Sequence, residues 1–153
     1  MPIQSQYHPT MSVSVLGPLE PGSTQLVAAD ALIPAGFPSP ALDYQQERIS
    51  LDCLMDLRAP HSFVARAQGE SLVGIGIFDG DLLIIDRSRT AEPGEVVVAA
   101  VNGESLVKIL DRVDGVVGLR SANAAYGLIK VREGDELDVW GVVRWSVRKH
   151  GRY

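Results

Sequence analysis

Short runs of β-branched and apolar residues, separated by turn residues, dominate the chain from Ser62 onward. The turn dipeptide Asn102-Gly103 lies between two such runs and is typical of a two-residue β-hairpin. No long helical pattern alternates with the runs, which argues against βαβ units. The sequence therefore predicts a mainly β fold, a compact antiparallel, barrel-like domain. The six predicted strands are SFVARAQ, DLLIID, EVVVAAV, SLVKIL, VVGLR and LDVWGVVRWSV.

The N-terminal part of the chain has a different pattern. Residues 1–24 are rich in Pro, Gly, Ser and Thr, and three prolines interrupt the more apolar stretch that follows. Proline removes a backbone donor and biases the preceding residue toward extended geometry. We therefore expect residues 1 to about 42 to form an extended arm, docked on the body without being part of its core. One short helix is predicted from Ser50 to about Leu57, with Ser50 as its cap.

Length and composition fit this division, since 153 residues with 46% hydrophobic and 22% charged content suit one domain with an appended arm. The net charge of -5 argues against a protein that coats nucleic acid through a basic surface. A single cysteine, Cys53, and three widely separated histidines predict a reducing compartment and no structural zinc. No cofactor is expected, since neither a dinucleotide fingerprint nor a Walker lysine motif occurs. The first basic residue is Arg48, and no apolar run is long enough to span a membrane, so a cytoplasmic location is expected.

A lysine interrupts the apolar pattern of the strand SLVKIL. Alternation puts Lys108 on the same face as Leu106 and Leu110, so it lies between two leucines whichever face is buried. One interpretation is a stem that lies over apolar surface while its ammonium stays in water. The other is a desolvated lysine whose neutral amine acts as a general base.

A general base needs a nucleophile, and Ser71 in the segment GESL is the candidate. It follows the strand SFVARAQ and enters a glycine-rich stretch. Its simpler interpretation is a turn or cap serine. A serine on such a turn can also expose its hydroxyl while nearby backbone N–H groups stabilise an oxyanion.

The segments GESL, DGDLLIID, GEVVVAAVNGESLVKIL, NAAY and LDVWGVV together resemble the self-cleaving serine-lysine proteins of the LexA/UmuD family. The resemblance covers about residues 33–147. It implies the fold of the LexA/UmuD C-terminal domain, with Ser71 as nucleophile and Lys108 as base, 37 positions later. Leu72 occupies the position where the family usually has methionine, a swap of similar volume.

The resemblance also implies a cleavage site, because the family cuts itself at a small-residue bond before glycine. Ala35-Gly36 fits, in a segment similar to the one that UmuD cleaves. Residues 1–35 would then be an arm removed by self-cleavage, and residues 36–153 a catalytic and dimerisation domain. The alternative for this segment is an ordinary proline-rich loop.

On the UmuD side of the family, the resemblance implies a homodimer of the SOS response to DNA damage. A RecA filament on single-stranded DNA would activate cleavage, and the processed form would assist an error-prone Y-family polymerase subunit like UmuC. No membrane or sequence-specific DNA partner is expected, since a 35-residue arm is too short for an operator-binding domain.

Alternative interpretations remain open. One rival is a LexA-type or phage self-cleaving repressor, and another is a catalytically silent β-domain that only binds partners. Asp79, Asp81 and Asp86 fit turn and strand-end positions better than a cation site. The basic tail is interpreted as a solvated terminal strand rather than a DNA contact; it comprises Arg144, Arg148, Lys149 and Arg152.

Overall fold

The structure, a computed structural model, describes residues 11–18, 22, 25–29, 46–57 and 61–152. Ala35 and Gly36 of the predicted cleavage site lie outside the described residues. The chain divides into two compact units. The larger one contains Met1–Leu19 and Pro60–Tyr153, and the smaller one contains Glu20–Ala59.

The larger unit is built on one antiparallel sheet, which curls into a half-barrel. Its strand order is β1-β4-β5-β10-β6-β7-β8-β9. The predicted mainly β, antiparallel fold is therefore confirmed. The strands of this sheet are β1 (Ser12–Pro18), β4 (Ser62–Gln68), β5 (Leu82–Asp86), β6 (Val96–Val101), β7 (Glu104–Val113), β8 (Val116–Arg120), β9 (Ile129–Lys130) and β10 (Leu137–Val147).

The smaller unit contains two strands and a short helix, β2 (Gln25–Ala29), β3 (Gln46–Ser50) and α1 (Leu51–Leu54). β2 and β3 pair antiparallel, with Gln25 opposite Ser50. The predicted helix is present but ends at Leu54 rather than near Leu57. Ser50 is its N-cap residue, although the Ser50 side chain makes no capping hydrogen bond. β2 lies in the segment that was predicted to be an extended arm.

β7 supplies both apolar clusters of the larger unit, because alternate residues of a strand face opposite sides. Val107 and Ile109 belong to one cluster, while Leu106 and Leu110 belong to the other. The hairpin before it turns at Asn102 and Gly103, whose positive φ angles of 51° and 83° fit the predicted two-residue turn.

β1 differs from the predicted docked arm. It pairs with β4 from Ser12 opposite Gln68 onward and forms an edge of the main sheet. Met11, immediately before β1, is fully buried in the core cluster that contains Val107. The Met11 carbonyl accepts a hydrogen bond from the Val107 N–H at 2.9 Å, so the curled sheet brings β1 to β7. At Met11 the N-terminal segment is part of the core.

Candidate active site

Ser71 lies on the turn between β4 and a short 3-10 helix, Val73–Ile75. Its side chain is fully buried, whereas a turn serine with an exposed hydroxyl was expected. The difference comes from Met11, whose N–H donates to the Ser71 Oγ at 3.3 Å. The Ser71 hydroxyl is thus covered by the residue that precedes β1.

Two backbone hydrogen bonds fix the turn that carries Ser71 to the segment after β8. The Ala122 N–H donates to the Ser71 carbonyl at 2.8 Å, and the Gly74 N–H donates to the Ala122 carbonyl at 2.7 Å. A Cβ atom on Gly74 would lie 2.4 Å from the Ala122 carbonyl oxygen. Glycine at position 74 is therefore required for this close approach of two backbones.

Lys108 is buried in the middle of β7, with 1% of its surface exposed. This burial rejects the interpretation in which the ammonium reaches water. The Lys108 Nζ donates to the Ser121 Oγ at 2.5 Å and lies 5.2 Å from the centre of the Tyr126 ring. Burial lowers the pKa of Lys108 from its ordinary value of 10.5, because desolvation disfavours the charged amine.

The two predicted site residues are linked through shared neighbours. The Ser71 carbonyl is hydrogen-bonded to the Ala122 N–H, and the Lys108 Nζ is hydrogen-bonded to Ser121, which precedes Ala122. The Met11 backbone also forms hydrogen bonds to both sides of the site, through its N–H to the Ser71 Oγ and through its carbonyl to the N–H of Val107, which precedes Lys108. Within the described ranges, no hydrogen bond joins the Ser71 hydroxyl directly to the Lys108 amine.

Three backbone N–H groups at the Ser71 turn lack a hydrogen-bond acceptor among the described residues. In the described part of the chain, the N–H groups of Glu70, Ser71 and Leu72 donate no hydrogen bond. Leu72 is fully buried, and its carbonyl accepts two N–H groups, those of Ile75 at 3.1 Å and Ile77 at 3.2 Å. The turn therefore combines a hydroxyl, unpaired N–H donors and a rigid support, which acyl transfer requires.

The three aspartates of the glycine-rich region have other partners. Asp79 accepts the Gly69 N–H at 2.8 Å, and Asp86 accepts the Ser88 N–H at 2.7 Å. Asp81, which is 2% exposed, accepts both Nε and Nη2 of Arg148, at 2.7 and 2.6 Å. Among the described residues, no group of three His, Cys, Asp or Glu side chains is arranged to hold a metal ion.

The basic tail is exposed, as predicted, but two of its arginines have carboxylate partners. Arg148 forms the ion pair with Asp81 and lies 4.0 Å from the Phe78 ring, and Arg144 lies 3.7 Å from Asp86. These contacts arise because Arg144 lies in β10, which pairs with β5, and Arg148 directly follows that strand. No helix in the described segments is long and apolar enough to cross a membrane.

Sequence reasoning missed two residues of this site, Met11 and Ser121. The signal for Met11 was available, because the alternation Met-Ser-Val-Ser-Val is typical of a half-buried strand, although proline and serine dominate its surroundings. Ser121 had no distinctive signal, since a serine after a strand is ordinary turn composition.

Comparison with known proteins places the chain in a family. A family model described as Peptidase S24-like matches residues 26–144, a range that includes both Ser71 and Lys108. Protein SamA of Salmonella typhimurium is 35% identical over 116 residues, covering 76% of this chain and 80% of SamA. Protein ImpA of Escherichia coli is 42% identical over 76 residues, covering 50% of this chain and 52% of ImpA. The chain therefore belongs to the Peptidase S24-like family, the family of LexA and UmuD.

Proposed function

We propose that this protein is a self-cleaving serine endopeptidase of the UmuD type, in which Ser71 and Lys108 hydrolyse the Ala35-Gly36 bond of the same chain. The observation that carries the proposal is the burial of Lys108. It is a fully enclosed amine with no carboxylate partner in the described part of the chain. Burying an unpaired charged amine costs folding free energy, so burial favours the neutral form of Lys108. The neutral form is the one that general base catalysis requires.

The reaction follows from the groups around Ser71. The neutral Lys108 Nζ accepts the Ser71 hydroxyl proton while Oγ attacks the Ala35 carbonyl carbon. Unpaired backbone N–H groups at the turn stabilise the resulting oxyanion. The C–N bond then breaks, the Gly36 nitrogen takes the proton from the Lys108 ammonium, and water hydrolyses the acyl-enzyme ester. Ser71 and Lys108 are thereby restored.

The covered Ser71 hydroxyl fits an enzyme that acts mainly on itself. Met11 occupies one hydrogen-bonding position of Oγ, so a foreign peptide would have to displace it. A substrate segment on the same chain competes at an effective concentration of order millimolar, which free peptides seldom reach. This argument favours self-processing over general proteolysis.

The biological role is proposed from the resemblance to UmuD. Cleavage separates residues 1–35 from residues 36–153, and the processed chain, as a cytoplasmic homodimer, serves as accessory subunit of an error-prone polymerase. The polymerase is a Y-family subunit like UmuC, and the activator is a RecA filament on single-stranded DNA. The family match and the relatives SamA and ImpA support this assignment.

The test is incubation of the purified full chain with and without RecA assembled on single-stranded DNA, followed by mass spectrometry of the fragments. We expect one new N-terminus, at Gly36, and faster cleavage with the filament. Ser71→Ala and Lys108→Met should remain intact, and Gly36→Glu should block cleavage by obstructing the approach to the Ala35 carbonyl. A main cut elsewhere would refute the assigned bond. An intact wild-type chain, even at alkaline pH, would favour a silent binding domain.

A further inference from the structure

We infer that Ser121 is a positioning residue for Lys108: its hydroxyl orients the amine so that the nitrogen lone pair is directed toward Ser71. This inference rests on the proposed function and deepens it, since it adds a third side chain to the Ser71–Lys108 pair. The contact is short and buried. Ser121 is 9% exposed, and its Oγ lies 2.5 Å from the Lys108 Nζ.

The role follows from the bonding of a neutral amine. A neutral amine has two N–H groups and one lone pair, and it rotates freely about its Cε–Nζ bond unless a partner holds it. In the part of the chain that the structure describes, Ser121 is the hydrogen-bonding partner of the Lys108 Nζ. When the Ser121 Oγ accepts one N–H, rotation is restricted and the lone pair is left for another group. The proton that a base must take is that of Ser71.

The backbone around Ser121 gives this contact its rigidity. Ala122, the next residue, accepts the Gly74 N–H and donates to the Ser71 carbonyl. The same two-residue segment, Ser121 and Ala122, therefore holds the base through a side chain and the nucleophile through its backbone. A shift of either partner would be transmitted to the other, and a misplacement of about 1 Å can cost two orders of magnitude in rate.

Among the residues that the structure describes, few charged or titratable groups lie close to Lys108. Its neighbour on β6 is Val97, and the described residues 11–18 include no titratable side chain. Tyr126 presents its ring face. Arg120, the residue before Ser121, is exposed and donates to Asp111 at 3.1 Å. Ser71 and Ser121 supply the neutral hydroxyls of the site.

The hydroxyl has an effect on charge as well as on orientation. An acceptor bonded to Nζ favours the charged amine, whereas burial favours the neutral one. Removing the Ser121 hydroxyl should therefore lower the pKa of Lys108 further. It should also let the amine rotate, so that the neutral form is more abundant at neutral pH but less effective. These two effects oppose each other, and a loss of structure would not produce that combination.

The experiment measures the rate of unassisted self-cleavage against pH for the full-length wild type, Ser121→Ala and Ser121→Thr. In Ser121→Ala we expect the plateau rate to fall about tenfold or more and the midpoint to move to lower pH. Ser121→Thr keeps the hydroxyl and should restore both quantities. Ser105→Ala is the matched control. Ser105 is exposed on β7, the strand that carries Lys108, and its hydroxyl has no partner within the described residues.

A second measurement does not depend on cleavage. The pKa of the Lys108 amine is followed by NMR of the labelled side chain in the uncleavable Ser71→Ala background, with and without Ser121→Ala. We expect Ser121→Ala to lower that pKa and Ser105→Ala to leave it unchanged. If the wild type fails to cleave, the proposed function fails, and the NMR titration alone decides whether Ser121 controls the amine.

Three results would overturn the inference. The first is a self-cleavage pH profile of Ser121→Ala with the same plateau rate and the same midpoint as the wild type. The second is a loss of cleavage that Ser121→Thr does not restore, which would indicate a structural role. The third is a Lys108 pKa that is unchanged when Ser121 is replaced by alanine.

Discussion

Lys108 is the largest fully buried side chain among the described residues, and at neutral pH its burial opposes folding. Lys108→Met keeps most of the volume and removes the buried amine, so we expect the free energy of unfolding to rise by about 0.5–2 kcal/mol. Urea unfolding measures this change. Lys108→Ala is the contrasting variant, because it leaves a cavity and should lower stability by about 2–5 kcal/mol. A lower free energy of unfolding in both variants would contradict the conclusion that the buried Lys108 amine destabilises the fold at neutral pH.

The pH dependence of that comparison has a definite sign. The folded-state pKa of Lys108 lies below 10.5, so between that pKa and 10.5 the unfolded chain binds more protons than the folded one. Stability therefore rises with pH in this window. The advantage of Lys108→Met should be largest below the folded-state pKa and should shrink toward pH 10.5, as measured by unfolding in a pH series.

The same shift predicts the pH profile of self-cleavage without an activator. The rate should rise with pH and level off at a midpoint below 10.5, because only the neutral Lys108 amine is competent. A histidine base would have its midpoint at pH ~6.5 and would reach its plateau near neutrality. A time course of fragment formation at each pH measures the profile. A plateau already complete at neutral pH, or cleavage by Lys108→Met at the wild-type rate, would refute the assignment.

Ser71 and Lys108 could be selected from the sequence as candidates, because a lysine between two leucines is unusual in a strand and a base of this kind needs a nearby nucleophile. Their surroundings could not be predicted. The Ser121 contact depends on the path of the chain after β8, and the Met11 contact depends on the curl of the whole sheet. Because neither contact depends on residue spacing along the sequence, neither could be predicted from the hydrophobic pattern.

At the scale of elements, the residue before β1 covers the hydroxyl of Ser71, the candidate nucleophile. We expect Met11→Ala to loosen this cover, because loss of the fully buried side chain frees the backbone at residue 11, whose N–H donates to the Ser71 Oγ, to move away. Ser71 should then react faster with a fluorophosphonate probe, and stability should fall by about 2–5 kcal/mol. Mass spectrometry of the labelled serine measures the first effect.

The control for that experiment lies on the same strand. Val15 is 46% exposed on β1, so Val15→Ala should change neither the labelling rate nor the stability appreciably. Equal labelling of Met11→Ala and wild type would show that β1 does not limit access to Ser71.

The turn that carries Ser71 offers a second test at this scale. Gly74→Ala would place a Cβ 2.4 Å from the Ala122 carbonyl oxygen, so the two backbones must separate. We expect a loss of about 1–3 kcal/mol in stability and slower self-cleavage, since Ala122 also bonds Ser71. Gly127→Ala is the matched control, because nothing lies within 4 Å of its Cβ. Thermal unfolding and fragment analysis measure the two effects.

Some strands could be predicted from the sequence and others could not, for physical reasons. The six strands after Ser62 were predicted correctly because alternation and turn dipeptides act locally. β9 has two residues, too few to create a pattern. β1 and β2 lie in proline-rich surroundings, where composition indicated an arm, although their strand partners are distant in sequence. Pairing over such distances depends on tertiary packing, which local propensity does not contain.

At the scale of the whole molecule, contacts between distant parts of the chain hold the curled sheet and the loop after Ser71 in place. Met11 joins β1 to β7, and Arg148, beyond the end of β10, joins the glycine-rich loop that follows Ser71. Arg148 donates to the Gly76 carbonyl at 3.1 Å and forms a two-point ion pair with the buried Asp81. The C-terminal segment therefore supports the loop that carries the candidate nucleophile.

This ion pair predicts how the protein responds to acid. The Arg148 hydrogen bonds hold the pKa of Asp81 below its ordinary value of 3.8, so the folded protein takes up this proton at lower pH than the unfolded chain. The contribution of Asp81 to stability is complete above pH 3.8 and is lost as pH falls through the folded-state pKa. Wild-type stability should therefore decrease over that acidic range.

Asp81→Asn removes the charge and should lower stability at pH 7 by about 1.5–3 kcal/mol, the usual size of a hydrogen bond to a charged group. Its stability should fall less steeply in acid, so the two proteins should converge below the folded-state pKa. Asp138→Asn is the matched control, because Asp138 is exposed on β10 and should behave like wild type throughout. Urea unfolding between pH 7 and pH 3 measures the three curves. Parallel curves for wild type and Asp81→Asn would mean that the ion pair contributes no acid sensitivity, and the C-terminal segment would then hold the Ser71 loop by packing alone.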